Sequence, residues 1–68
     1  MSVSELLEVR PNEVMLGDIF GDRIIIAIHP PTISGGTWLF EFDRGEAKAL
    51  HSSVKLVVRR IVLVRLKI

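Results

Sequence analysis

Apolar residues recur at every second position along most of this chain, and many of them are β-branched. A period of two places alternate side chains on opposite faces of an extended strand, where β-branched side chains pack well. The clearest strands are residues 23–29, 37–43 and 54–59, with 61–68 as a further strand or a continuation. In residues 23–29 three isoleucines share one face, and the second face is apolar enough that we expect it to be covered too. The pattern predicts an all-β protein.

A tight turn and a long loop separate the first of these strands from their neighbours. Gly21-Asp22 lies between two short apolar segments and predicts a two-residue hairpin that sets Phe20 opposite Arg23. Residues 29–36 contain two prolines, which cannot donate to a ladder, and two glycines, which weaken one. They predict the longest loop of the chain.

Residues 43–46, with the sequence Asp-Arg-Gly-Glu, predict a second hairpin. With a four-residue loop, Glu41 lies opposite Lys48 on one face, and the aromatic residues lie opposite small ones on the other. A three-residue loop would instead place Glu46 and Lys48 on the aromatic face. We therefore expect the four-residue register.

The two ends of the chain are less regular. Arg59 and Arg60 interrupt the C-terminal alternation, because a straight strand would point Arg60 to the apolar face, and a bulge or bend is expected there. At the N-terminus, Ser2-Val3-Ser4-Glu5 has the spacing of a capping box and predicts a short helix before Pro11. The alternative is a first strand through residues 6–10, followed by a tight turn. Both alternatives stay open.

Length and composition narrow the class of protein. Sixty-eight residues form a single domain, residues 1–68, near the lower limit for a self-sufficient core, and 49% of them are hydrophobic. There is no cysteine, so packing or oligomerisation must compensate for the small core. The acidic start argues against a secretory signal, and no apolar run approaches the roughly 20 residues that span a bilayer. We expect a cytoplasmic protein with no membrane partner.

The order "EVRPNEVMLGDIFGDRIIIAI", a long loop, "TWLFEFDRGEAKALH" and "VKLVVRR" resembles the small SH3-like barrels, including KOW-type modules, of bacterial and phage proteins. The resemblance covers roughly residues 9–60 and rests on structural signals: a Gly-Asp before a strand, a hairpin closed by Asp-x-Gly and a valine-rich last strand. It implies about five short antiparallel strands closed into a barrel, and it leaves the function open. The tail past Arg60 departs from the pattern and predicts an extra C-terminal strand.

Charge is divided unevenly along the chain. Residues 1–43 hold two basic and seven acidic residues, a net charge of −5, whereas residues 44–68 hold seven basic residues and one acidic residue, a net charge of +6. A basic face on a barrel would bind phosphates, and alternating aromatic residues such as Trp38 stack unpaired bases in some sheets. This hypothesis predicts a small regulatory module that contacts nucleic acid through Lys48, Lys55, Arg59, Arg60, Arg65, Lys67 and Trp38.

Each of these features also has a structural interpretation. Cations on a terminal strand prevent edge-to-edge aggregation, and the aromatic residues suit the core of a small barrel. Of the three on the 37–43 strand, Trp38 is the one we expect to be partly exposed, because it lies next to the flexible Gly35-Gly36. The alternative function is a protein-interaction or self-assembly module, in which residues 61–68 add a strand to another copy or to a partner's sheet. Ile61 and Leu63 share the solvent face with the cations, so they are the predicted oligomer interface.

Nothing in the chain predicts an enzyme. His29 and His51 have no ligand or nucleophile at a productive spacing, so we interpret them as loop-edge histidines. Asp18 and Asp22 are too few to form a cation-binding loop and are interpreted as turn-capping residues. We expect no cofactor and no metal site.

Overall fold

The chain is an all-β protein, as the alternation predicts, and its computed structural model describes residues 2–63. A single turn of 3-10 helix at Pro11–Glu13 follows the first strand. Within residues 2–63 no helix is long and apolar enough to cross a membrane. The six strands are β1 (Ser2–Val9), β2 (Ile19–Phe20), β3 (Arg23–His29), β4 (Thr37–Phe42), β5 (Ala47–His51) and β6 (Leu56–Leu63).

The strands form one antiparallel sheet in the order β1-β6-β2-β3-β4-β5. The first and last strands of this order, β1 and β5, are edges that do not pair with each other in the part of the chain described. The sheet therefore has six strands and two edges, where about five strands and a closed barrel were expected. The resemblance to SH3-like barrels stays a prediction.

The first hairpin forms where the sequence predicts it. Phe20 lies opposite Arg23, and Ile19 lies opposite Ile24. Gly21 has a φ of +67°, in the left-handed region that a residue with a side chain rarely adopts. The two-residue turn is confirmed.

The second hairpin has the three-residue loop, so the predicted register is wrong by one residue. The Phe42 amide donates to the Glu46 carbonyl (2.8 Å), and Gly45, at φ +84°, donates to the Phe42 carbonyl (3.1 Å). A left-handed glycine in third place is typical of a three-residue loop. Lys48 consequently lies on the aromatic face, with its ammonium 5.1 Å from the centre of the Phe20 ring. The expectation failed because a lysine stem can cover an aromatic ring while its charge stays near solvent.

The N-terminal segment is a strand, so the helix alternative is wrong. Residues of β1 pair with β6 in one unbroken register, from Ser2 opposite Leu63 to Val9 opposite Leu56. The chain then turns through Pro11–Glu13, where the Glu13 carboxylate accepts the Arg10 amide at 3.0 Å. Pairing with the eight residues of β6 stabilises the extended form of this segment. A helix of two turns would be unstable in water on its own, so the capping-box spacing is not enough to form it.

One face of the sheet, here called the inner face, carries the core. The aromatic residues of β4 lie on it, as predicted, with Phe40 and Phe42 buried and Trp38 half-buried against Phe40. Residues from the other strands complete this cluster. Its buried apolar members are Val9, Val14, Ile25, Phe40, Phe42, Leu56 and Val58.

A bulge in β3 divides its isoleucines between the two faces. The register against β4 shifts between Ile25 and Ala27, so Ile25 and Ile28 lie opposite core phenylalanines. Ile24 and Ile26 stay on the other face and are exposed. The expectation of a covered second face is not met within residues 2–63, and Ile28 leaves the face that the plain alternation assigns to it.

No bulge interrupts β6 at its arginine pair. The register runs on, with Leu6 opposite Arg59 and Glu5 opposite Arg60, so the predicted bend is wrong. Arg60 therefore points toward the inner face. Residues 61–63 continue β6 and form no separate strand, and residues 64–68 lie outside the described part of the chain.

Candidate interaction surfaces

Arg60 can lie on the inner face because Asp18 meets it there. Its Nε and Nη2 donate to the two carboxylate oxygens of Asp18 at 2.9 and 2.8 Å, and Nη2 also donates to the Glu13 carbonyl at 3.0 Å. The Asp18 side chain is only 2% exposed and that of Arg60 24%. Asp18 further accepts the Met15 amide at 2.9 Å, which confirms its predicted turn-capping role. Such a bidentate pair satisfies both charges internally.

The pair also shifts the pKa values of its two members. Burial on its own raises the pKa of Asp18, but the hydrogen bonds from Arg60 and from the Met15 amide, with the charge of Arg60, outweigh burial and lower it. The hydrogen bond to Asp18 raises the pKa of Arg60 against the opposing effect of burial. Arg60 is thus a charged structural residue, and its guanidinium is already occupied.

The other predicted phosphate-binding residues do not share one surface. Lys48 covers Phe20 on the inner face, whereas Arg59 lies on the opposite face and donates to the Ser4 hydroxyl at 3.2 Å. Lys55 precedes β6, with its ammonium 3.8 Å from a carboxylate oxygen of Glu8. Arg65 and Lys67 lie outside the described residues. The part of the chain that the structure describes therefore does not assemble the predicted basic strip.

The face opposite the core, here called the outer face, is apolar over much of its area. Leu6 in β1 is 65% exposed, and Val57 and Ile61 in β6 are 53% and 59% exposed. Opposite residues of an antiparallel pair share a face, so Leu6, Arg59, Ile19 and Ile24 form a line across four strands. The outer patch is defined here as the large exposed apolar residues of this face in β1, β3 and β6, which are Leu6, Ile24, Ile26, Val57 and Ile61.

The far ends of β1 and β6, where Ile61 of the outer patch lies, pair only with each other within residues 2–63. β6 pairs with β2 only at Arg59, so residues 2–5 and 60–63 form a two-stranded ribbon. A two-stranded ribbon is marginally stable in water without a further strand or layer. Of the predicted interface residues, Ile61 lies in the outer patch, and Leu63 is placed only as the backbone partner of Ser2.

A groove of about 390 Å³ lies at one end of the sheet, beside Trp38. The indole stacks on Phe40, with ring centres 6.4 Å apart and planes 10° apart. Pro30 and Pro31 supply further apolar wall, and Arg10 is the charged residue among those that line the groove. Trp38 is half-buried, as predicted, whereas Arg10 was not predicted to contribute to any site.

The two histidines contact polar partners on the surface. His29 Nε2 lies 2.5 Å from a carboxylate oxygen of Glu41, and His51 Nδ1 lies 2.7 Å from the Ser53 hydroxyl. The expectation that no nucleophile adjoins either histidine is thus wrong for His51. Its Nδ1 also accepts the Ser53 amide at 3.2 Å, so the contact closes a turn. His51 and Ser53 are both exposed to solvent, so the Ser53 hydroxyl does not lie in a site that excludes water.

Neither a cluster of metal-ligating residues nor a similarity to known proteins indicates a further site in the described part of the chain. Among residues 2–63 no three His, Asp or Glu side chains come together as metal ligands. No family model matches this sequence, and neither does any curated protein or solved structure.

Proposed function

We propose that the protein is a non-enzymatic interaction module that associates with a second copy of itself through the outer patch. The observation that supports this is the exposure of Leu6, Val57 and Ile61 together on one face of the paired strands β1 and β6. Single exposed apolar residues are ordinary on a protein surface, but a contiguous patch on a sheet face is typical of an interaction site.

Burying the outer patch against a second copy is energetically favourable. Fully burying a Leu, Ile or Val side chain contributes about 1.5–3 kcal/mol, so covering the exposed half of each residue contributes roughly 1 kcal/mol. Three such residues from each of two copies supply several kcal/mol before the cost of association. The partner would also add a layer to the two-stranded ribbon, which β2 supports only at Arg59.

The charges beside the patch suit a two-fold arrangement. Arg59 lies between Val57 and Ile61 along β6, and Glu8 lies opposite Val57 on the same face. In a two-fold dimer each patch meets its own copy, so an acidic and a basic residue on one surface can pair across the axis. Glu8 already has a long contact with Lys55, at 3.8 Å, which an exchange of partners in the proposed dimer would replace.

Sedimentation equilibrium tests the proposal on the full chain, over about 5 to 200 µM, where mass action reveals weak dimers. We expect the wild-type mass to rise toward twice 7.6 kDa, and the double variant Leu6→Lys/Ile61→Lys to stay monomeric with an unchanged circular dichroism spectrum. Ile33→Lys is the matched control, because Ile33 is 72% exposed in the loop before β4. A wild-type chain that is monomeric throughout, or a control that dissociates equally, contradicts the proposal.

A further inference from the structure

The groove beside Trp38 is a second surface, separate from the outer patch. Its loop wall is held in place, because the Ser52 amide donates to the Gly36 carbonyl at 3.1 Å and the Gly36 amide donates to the Ile33 carbonyl at 3.2 Å. A Cβ at Gly36 would lie 2.7 Å from the Cβ of Pro31, so the loop packs closely at this point. The groove is therefore formed before any ligand enters.

The lining combines a flat aromatic surface with polar groups. The Trp38 indole stacks on Phe40 and also lines the groove, so part of the ring system faces the space that a ligand would occupy. Half of the ten lining residues are polar: Arg10, Asn12, Thr32, Ser34 and Ser52. Amide and hydroxyl groups of this kind match the hydrogen-bonding edges of a nucleobase.

Positive charge lies at the same end of the sheet. Arg10 directly follows Val9, and Lys55 directly precedes Leu56, which is the partner of Val9. Arg10 forms no ion pair within residues 2–63, and Lys55 has a 3.8 Å contact with Glu8. Arg10 is itself part of the groove lining, and Lys55 lies outside the lining at the same end of the sheet. A cation beside an aromatic surface, with a second one nearby, suits the phosphates that flank a stacked base.

We propose that this groove binds an unpaired base of a single-stranded nucleic acid, with the base on Trp38 and the adjacent phosphates on Arg10 and Lys55. The volume of about 390 Å³ accommodates one nucleotide. A duplex does not fit, because its bases are stacked on one another and unavailable to the indole. The proposal is independent of self-association and differs from the expected basic strip, since it uses Trp38 and Lys55 but adds Arg10.

The fluorescence of Trp38 reports on the site directly, because it is the single tryptophan of the chain. A single-stranded oligothymidylate of about eight nucleotides, within the usual site size, is titrated into the full chain at low salt. We expect saturable quenching by the single strand and none by a duplex of equal length, by inorganic phosphate or by a proline-rich peptide. Quenching by the duplex or the peptide at similar concentrations would overturn the proposal, as would no quenching by the single strand.

Variants separate the proposed contacts from non-specific charge, with anisotropy of the labelled oligonucleotide as the readout. Trp38→Ala should weaken binding about 5- to 150-fold, the usual range for loss of one stacked base. Arg10→Gln should weaken binding and make the slope of log affinity against log salt shallower by about 0.7. Because Trp38 also packs on Phe40, the exposed Arg10 keeps the test decisive if Trp38→Ala fails to fold.

Arg44→Gln is the matched control for Arg10→Gln. Arg44 lies in the turn beyond the other end of β4, about 20 Å from Trp38 at the rise of an extended strand. The two variants remove the same charge, so the proposal requires a larger loss from Arg10→Gln. Equal losses would show that only net charge matters and would contradict the assigned site.

Discussion

Two faces of the same sheet differ in how completely they are covered, and neighbouring residues of one type show the difference. In β3, Ile25 is 1% exposed and Ile26 is 57% exposed, and in β6 the same contrast separates Val58 from Val57. Hydrophobicity alone therefore does not decide burial in this protein. The face decides it, and the faces alternate from one residue to the next along a strand except at the bulge after Ile25.

The adjacent arginines of β6 extend the comparison to charge. Arg60, on the inner face, is paired with the buried Asp18, whereas the guanidinium of Arg59, on the outer face, donates a hydrogen bond to the Ser4 hydroxyl and has no ion pair among the described residues. The inner face thus satisfies even a charged residue internally. The outer face leaves apolar residues exposed to solvent, and this exposure is the basis of the proposed self-association.

The largest expected difference is between Phe40 and Leu39. Phe40→Ala removes a buried ring and should cost about 3–5 kcal/mol, close to the whole stability expected for a chain of this length. Leu39 is 41% exposed, so Leu39→Ala should cost less than about 2 kcal/mol. Urea unfolding followed by circular dichroism measures both. Equal losses would contradict the assignment of the faces.

The next largest difference is between Arg60 and Arg59. Arg60→Met leaves the Asp18 carboxylate buried without its partner and should cost about 3 kcal/mol, whereas Arg59→Met should stay within about 0.5 kcal/mol of wild type. In the double variant Asp18→Asn/Arg60→Met the two losses should not add, because each single change breaks the same pair. Strictly additive losses in urea unfolding would argue against the pair.

Acid should lower the stability of the folded chain through the Asp18–Arg60 pair. The loss should be smaller than the loss caused by removing Arg60. The pKa of Asp18 is lowered in the folded chain, so its contribution to stability is present above the unfolded value of about 3.9. The contribution is lost as the pH falls through the lower folded pKa. Unfolding free energies across this acidic range should therefore fall more steeply for wild type than for Asp18→Asn. Parallel curves would contradict the prediction.

Much of the strand layout follows from the sequence, because alternation and turn chemistry are local signals. The first hairpin, the aromatic core strand and the half-exposed Trp38 could be predicted in this way. The register of the second hairpin could not, because it depends on the packing of Lys48 over Phe20, a residue from another strand. Local pattern also cannot show a bulge such as the one after Ile25.

The site residues that were not predicted are those brought together by contacts between residues far apart in the sequence. The alternation did point Arg60 inward, but its partner Asp18 lies 42 positions earlier, so a bend was the simpler expectation. Leu6 was not recognised as a neighbour of the predicted interface residue Ile61, because the pairing of β1 with β6 was unknown. Arg10 was missed for the same reason, since only the fold brings it to the groove beside Trp38.

The most direct test of the outer patch as the interaction surface is a dilution series of amide NMR spectra, from about 500 to about 20 µM. The account predicts concentration-dependent shifts for the amides around Leu6, Val57 and Ile61, with constant positions for those of Phe40 and Phe42. Shifts confined to β5 and the loop at residues 30–36, or spectra that do not change with concentration, would contradict it.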